Sequence, residues 1–388
     1  MLYLSFFILL TSAFFINNRK RLFYFVLALL LILPSSLQFG SLVYVSGVYW
    51  VDILTLVLSI YCLLSLITSQ HLIIDRRYLS LFIPIVIIFI YSLSFFYRGF
   101  DEVESLKDYR PLLFFLIVIT FGFLTSNLQI YSSLLNAGVK VCLISVLVWG
   151  GFSYFGLLNS DDRFYQPEFR YLGLQTYFCL FYLIFSFSKR DVDIKHIFLA
   201  YIVIIVSMSR MLLGLSIIPL LVWFFVSSFT IRKMAVIFFM LVGTLFLSDS
   251  SLFEKFYLLF DQGLDAFFYN RYSPALDKIN IMSELDYFVG YGFGEKFYIP
   301  WFEYRENINN YSIQLDTAYL NFFSKYGLIS FFVFLLPLLF FFNKNKKVAF
   351  CSVTVILIQY FTSSVYYHMA FLGFYICYII CLNVEKNE

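Results

Sequence analysis

The chain has 388 residues, of which 61% are hydrophobic, 22% aromatic and only 13% charged, and its mean hydropathy is +0.84. Soluble domains carry about 25% charged residues, so this composition excludes an ordinary water-soluble globule and fits a chain spread through a bilayer. The net charge of +3 comes without a long basic run, which excludes a surface that tracks nucleic-acid phosphates.

Taken in chain order, the apolar run 2–16 lacks a basic n-region and a small-residue cleavage site. Its charges, Arg19, Lys20 and Arg21, follow it, so it is expected to be a retained first span with its N-terminus outside. Further spans are predicted near 22–37, 51–68, 79–97, 111–125, 133–157, 171–187, 196–208, 211–230, 234–248, 316–342, 348–363 and 366–382. Their lengths suit a hydrocarbon core about 30 Å thick, and all are expected to be helices because an open strand edge in lipid leaves backbone groups unpaired. The expectation is therefore an all-α polytopic membrane protein of about 12–13 transmembrane helices. It divides into a bundle over 1–248, one long outer (periplasmic) loop over 249–315, and C-terminal spans over 316–388.

Alternate loops carry Arg19, Lys20 and Arg21, then Arg76 and Arg77, Lys189, Arg190 and Lys195, Arg232 and Lys233, and Lys344, Lys346 and Lys347, with Lys386 in the tail. The short loops of the other face hold Arg98, Lys107, Arg110, Arg163, Arg170 and Arg210. The positive-inside rule makes the first set cytoplasmic. Residues 196–230 test this parity, because one helix of that length would be about 52 Å long. Two short crossings meeting at Ser209–Arg210 keep both flanking basic loops inside and put Arg210 at the outer surface.

The six cysteines all fall inside apolar runs, and Cys377 and Cys381 have neither metal-knuckle nor CxxC spacing, so no metal is expected. Of the histidines, His71 and His196 fall on the inner side, and His368 opens the last span. Asp52, early in the third span, is expected to pair with a neighbour. Three outer segments carry the charge: 98–110, 159–170 and the long loop. That loop is rich in Tyr, Trp and Phe, which argues for a folded cap over the helix ends.

Gly290–Gly294 (GYGFG) lacks the G-x-G-x-x-G spacing of a nucleotide loop and is expected to be a tight turn. Arg163, Arg170, Arg210, Arg271 and Arg305 all lie on the outer side, where arginine suits phosphate because its planar fork donates paired hydrogen bonds. Surface ion pairing is the other reading, strongest for Arg305 between Glu303 and Glu306. Arg210, with apolar neighbours on both sides, is the stronger site candidate. The run 316–342 is predicted as one long helix whose first turns project outward. Asp316, Tyr319, Phe323 and Gly327 then share one face, with Gly327 allowing close helix contact. Asp316 is either the helix cap or a functional carboxylate. Lys325, on another face, is expected to snorkel to the outer boundary.

The chain resembles the Wzy-type O-antigen and capsule repeat-unit polymerases, within the O-antigen ligase-like membrane family. The resemblance rests on the span architecture and on local features in order. These are Arg163-Phe164 before an apolar span, Ser209-Arg210 with Leu213-Gly214 at a tight outer turn, a long outer loop ending in Gly292-x-Gly294, then Asp316-x-x-Tyr319-Leu320 and Tyr326-Gly327-Leu328. It implies a bacterial inner-membrane enzyme with its active site facing the periplasm, needing neither cofactor nor metal. That enzyme transfers one undecaprenyl-diphosphate-linked glycan to the end of another, with a chain-length regulator among its partners. On this resemblance Asp316 and Arg210 are catalytic, and Arg163, Arg170, Arg271 and Tyr319 hold diphosphate or glycan. Ligase members usually carry a histidine where this chain has Asp316, which favours polymerase over ligase and leaves the base open. A lipid-linked oligosaccharide flippase is the rival of another class. It predicts two related halves and charges within the spans, whereas the clearest such charge here, Lys140, sits near an inner end.

Overall fold

The computed structural model describes residues 2–35, 39, 42–45, 48–68, 102–155, 171–189, 193–207, 209–226, 231, 234–238, 242, 272–299, 310–315, 317–330, 344–363 and 369–387. The described chain is helical almost throughout. In order come α1 (Leu2–Phe15), α2 (Arg19–Ile32), α3 (Trp50–Thr68), α4 (Glu102–Thr125), α5 (Ser133–Tyr154), α6 (Leu174–Ser188), α7 (Ile194–Val206) and α8 (Arg210–Val226). After a helical stretch at 272–280 follow α9 (Glu284–Val289), α10 (Ala318–Tyr326), α11 (Lys346–Thr362) and α12 (Leu372–Asn387). Two antiparallel hairpins of two-residue strands interrupt this, β1 (Tyr44–Val45) with β2 (Val48–Tyr49), and β3 (Phe297–Tyr298) with β4 (Tyr311–Ser312).

Polar residues set the helix starts. Asn18 accepts from the Arg21 amide at the head of α2, Asp193 from His196 at α7, and Asn345 from Lys347 and Val348 at α11. Each satisfies a first-turn N–H that has no partner within its own helix. The long apolar run around Arg210 is broken as expected. Ser207 ends α7 with its hydroxyl on the Ile204 carbonyl, and Ser209 starts α8 by accepting from Leu212. Gly214 then lies inside α8 and not in the turn itself.

α6 is the centre of the bundle. All its residues from Leu174 to Phe187 are buried, against α12, α7, α5, α8, α11 and α2. Aromatic edges knit it to α12, with Phe181 5.0 Å from Phe374 and 5.9 Å from Tyr378. The periphery is different. Among the described helices, 108–125 and 133–152 are long and apolar enough to cross a membrane, and the second is only 39% buried. The face it leaves open carries Ile144, Leu147, Val148 and Phe152.

Side-chain hydrogen bonds sort the loops onto two ends. At one, the last carbonyls of α2 are taken up by Gln175, Ser145 and Trp149, and Trp50 donates to the Pro34 carbonyl. At the other, Arg19 donates to the Leu124 carbonyl and to Ser126 at the end of α4, where a cation complements the helix dipole. Asn383 of α12 reaches Thr125 there as well. The first end thus gathers the heads of α3, α4 and α6. It is the end expected to face outward from the charge pattern.

One predicted element is corrected. The run 316–342 is not a single helix through its described part: α10 stops at Tyr326, Gly327 turns at φ 56°, and a 3-10 turn covers Gly327–Ser330. Position 327 is the end of the helix, so its glycine makes the turn, and it also admits the α9 backbone at Tyr287 and Phe288, the close helix contact expected of it.

Candidate functional site

Three segments far apart in sequence meet at the first end. The helix α10 leaves carbonyls without partners at its C-terminus, and the glycine loop supplies the donors. The Tyr291 amide donates to the Ser324 carbonyl and the Gly292 amide to that of Lys325, both at 2.9 Å. Gly290, Gly292 and Gly294 all have positive φ. The loop can therefore curl against α10, a conformation other residues reach only at a cost.

Beneath this loop lies a closed ion pair. Lys325 is fully buried, and its ammonium donates to both oxygens of the equally buried Asp108 (2.6 and 2.7 Å) and to the Ile313 carbonyl (2.6 Å). Asp108 also accepts from the Gly294 amide at 2.6 Å. Each of the three ammonium protons has an acceptor, so burial is compensated by full hydrogen bonding. Phe293 stacks on Tyr109 at 4.6 Å and 7°, and Ser105 donates to the Phe293 carbonyl. Nearby, Lys278 pairs with Glu295 and also donates to the Lys296 carbonyl. Burial, reinforced by the carboxylates of Asp286 and Glu295, pushes the Tyr291 phenol above its usual range. It stays a neutral donor to the Lys278 carbonyl.

The expectation that Lys325 snorkels outward is therefore corrected. Its four-carbon stem carries the charge inward to Asp108, because an acceptor set there replaces the water it would otherwise seek. Asp52 does pair with a neighbour. It accepts from the Tyr49 amide at 2.8 Å and lies 3.7 Å from Arg110, whose guanidinium sits 4.3 Å from the Tyr49 ring centre. Both contacts are on the same end of the bundle.

A second focus is the last turns of α11. Tyr319, half-buried in the first turn of α10, donates to the Leu357 carbonyl at 3.3 Å and packs on Tyr360 and Phe361. Thr317 donates to the Tyr360 carbonyl (3.5 Å), Tyr272 to that of Phe361 (2.7 Å), and Thr362 to the Met211 sulfur (3.3 Å). Gln359 donates to the Tyr177 hydroxyl of α6.

Of the site residues named from sequence, Tyr319 is described in full and Arg210 by its backbone, as the first residue of α8. Asp316, Arg163, Arg170 and Arg271 lie outside the described residues, as does His368. The residues adjoining three of the six, Met211, Tyr272 and Thr317, all contact α11 between Tyr360 and Thr362. Thr317 takes the N-cap position of α10. Sequence reading missed Asp108 and Gln359 altogether. A lysine inside an apolar run signals that some partner is needed, but the partner of Lys325 is 217 residues away. Among the described residues no group of His, Cys, Asp and Glu is arranged to hold a metal.

The geometry defines a helical bundle with a folded cap pinned to one end. Residues 115–386 match a family described as a family of unknown function (DUF6369), and the chain belongs to that family. The match takes in both foci apart from Asp108 and its neighbours. No curated protein matches the chain.

Proposed function

We propose that the chain is a polytopic protein of the bacterial inner membrane that polymerises undecaprenyl-diphosphate-linked oligosaccharide repeat units at the periplasmic face. The supporting observation is the convergence at α11. Tyr319 and the residues next to Arg210, Arg271 and Asp316 all meet one helix end, and that end lies on the capped side of the bundle. The diphosphate of the donor gains charge as its glycosidic bond breaks, and cations fixed in advance at that spot stabilise it. Arg210 and Arg271 fill this role, assisted by Arg163 and Arg170, which the charge pattern assigns to the outer side. Asp316 takes the proton from the acceptor hydroxyl, and Tyr319, three residues on in the first turn of α10, contacts sugar or phosphate.

The membrane setting rests on two further observations. The exposed faces of the peripheral helices are apolar, with Leu2, Phe6 and Phe14 on α1 and Ile144 and Leu147 on α5. The end opposite the cap holds Arg19, as the positive-inside rule asks of a cytoplasmic face. The position of the cap at the other end supports reaction at the outer leaflet.

Deleting the gene in its native host and profiling surface glycans tests the reading. The expected result is a lipid core carrying a single repeat unit in place of a ladder. Loss of every repeat points instead to ligation or flipping, and an unchanged ladder removes the assignment.

A further inference from the structure

Two glutamines lie about one turn inside the capped end, and their hydrogen bonding differs. Gln175 is fully buried and fully used. Its amide nitrogen donates to the Leu31 and Leu33 carbonyls and to Ser145, and its oxygen accepts from Tyr171. Those bonds tie α2, α5 and α6 together, which is a structural task completed.

Gln359 is just as buried, at 0% exposure, and only half used. Its nitrogen donates to the Tyr177 hydroxyl, while its oxygen has no hydrogen-bond partner among the described residues. Buried side-chain amides rarely keep such an atom, because burial removes its water without replacing it. Four residues separate Gln359 from Ser363, the C-cap of α11, about 6 Å of helix rise. Gln359 therefore sits just beneath the turn on which Thr317, Tyr272 and Met211 converge.

We infer that Gln359 is a glycan-contacting residue, whose carboxamide oxygen accepts from a sugar hydroxyl of the lipid-linked repeat unit as the outer turns part to admit it. This rests on the polymerase reading and sharpens it. The arginines proposed above suit the diphosphate, and a neutral acceptor such as Gln359 suits a hydroxyl donor. A diphosphate has no proton to offer this oxygen, so the group it recognises belongs to the sugar.

The test compares two probes on purified protein: the host's own undecaprenyl-diphosphate-linked repeat unit, and undecaprenyl diphosphate without sugar. Gln359→Met keeps the length of the side chain and removes both polar atoms. It is expected to weaken binding of the glycan-bearing lipid about tenfold, the scale of one hydrogen bond, and to leave the sugar-free lipid unchanged. Ser352→Ala is the control. It removes another buried oxygen with no partner among the described residues, two turns further along α11, and is expected to change neither affinity. Gln359→Ala carries the same comparison should the methionine displace Tyr177. Equal binding by wild type and both Gln359 variants would mean that the oxygen holds only an internal water, and overturns the inference. Equal loss for both lipids, or the same loss from Ser352→Ala, overturns it in favour of a packing role. Wild-type protein that binds neither lipid defeats the polymerase reading itself.

Discussion

Lys325→Met is expected to destabilise the folded chain by about 3–5 kcal/mol, the range for removing one partner of a buried ion pair. Asp108 would keep a carboxylate with no exposure and lose the ammonium that balances its charge. Asp108→Ala is expected to cost a similar amount, since the ammonium then retains only the Ile313 carbonyl among its three acceptors. The double variant Asp108→Asn/Lys325→Met should recover most of the loss. It removes both charges, while the asparagine oxygen can still accept from Gly294. Thermal or denaturant unfolding of the four proteins in detergent gives their order of stability. A double variant no more stable than either single one would mean that the pair is not what pins the cap.

Gly290→Ala is expected to undock the cap with a comparable loss. A Cβ at position 290 would lie 2.2 Å from the Lys325 carbonyl oxygen and 2.5 Å from the Tyr326 nitrogen, both backbone atoms. Neither neighbour can rotate away, as the tip of a long side chain would. The residue also holds φ at 74°, which costs any L-residue about 1–2 kcal/mol before the clash is counted. Gly327→Ala meets the reciprocal problem, 2.5 Å from the Phe288 carbonyl carbon at φ 56°. Gly214 and Gly151 are the contrast, because a Cβ there meets nothing within 4 Å. At those helical positions alanine is expected to be neutral or to stabilise by about 0.5–1 kcal/mol. Limited proteolysis of the 272–298 segment distinguishes the two pairs: rapid cleavage in the Gly290 and Gly327 variants, and wild-type resistance in the other two.

These two expectations also mark where the sequence could and could not be read. Helix positions were legible because the length and composition of an apolar run depend on local sequence. The break at Ser209 followed from length together with the basic loops on either side. The sorting of Arg19 and Arg110 to opposite ends followed from charge. Lys325 was misread because a lone lysine in an apolar stretch has two solutions, outward to water or inward to a carboxylate. The second depends on where α4 lies in space. Gly327 was read in part. Its close contact with another helix was expected and is met by α9 at Phe288, but that it also ends α10 was not visible in an apolar run.

The glycine loop was expected to be a tight turn, and it is one. Its task, capping the carbonyls of α10 while feeding an amide to Asp108, depends on contacts that spacing does not encode. Gln359 shows the limit more sharply still. One glutamine in an apolar helix looks like any other, and Gln175 and Gln359 differ only in how many partners the fold brings to them.

The most direct measurement of the central claim, that the capped end carries out glycan polymerisation, is complementation of the deletion strain with Arg210→Ala and with Asp316→Asn. Each protein is checked for wild-type abundance in the membrane fraction, and surface glycan is resolved by length. Both variants are expected to leave a core bearing a single repeat unit, with Arg210→Lys restoring part of the ladder through its charge. Full-length ladders from both variants at normal abundance would contradict the account. Arg210 would then be an ordinary residue at the start of α8, and Asp316 no more than the residue before the cap of α10.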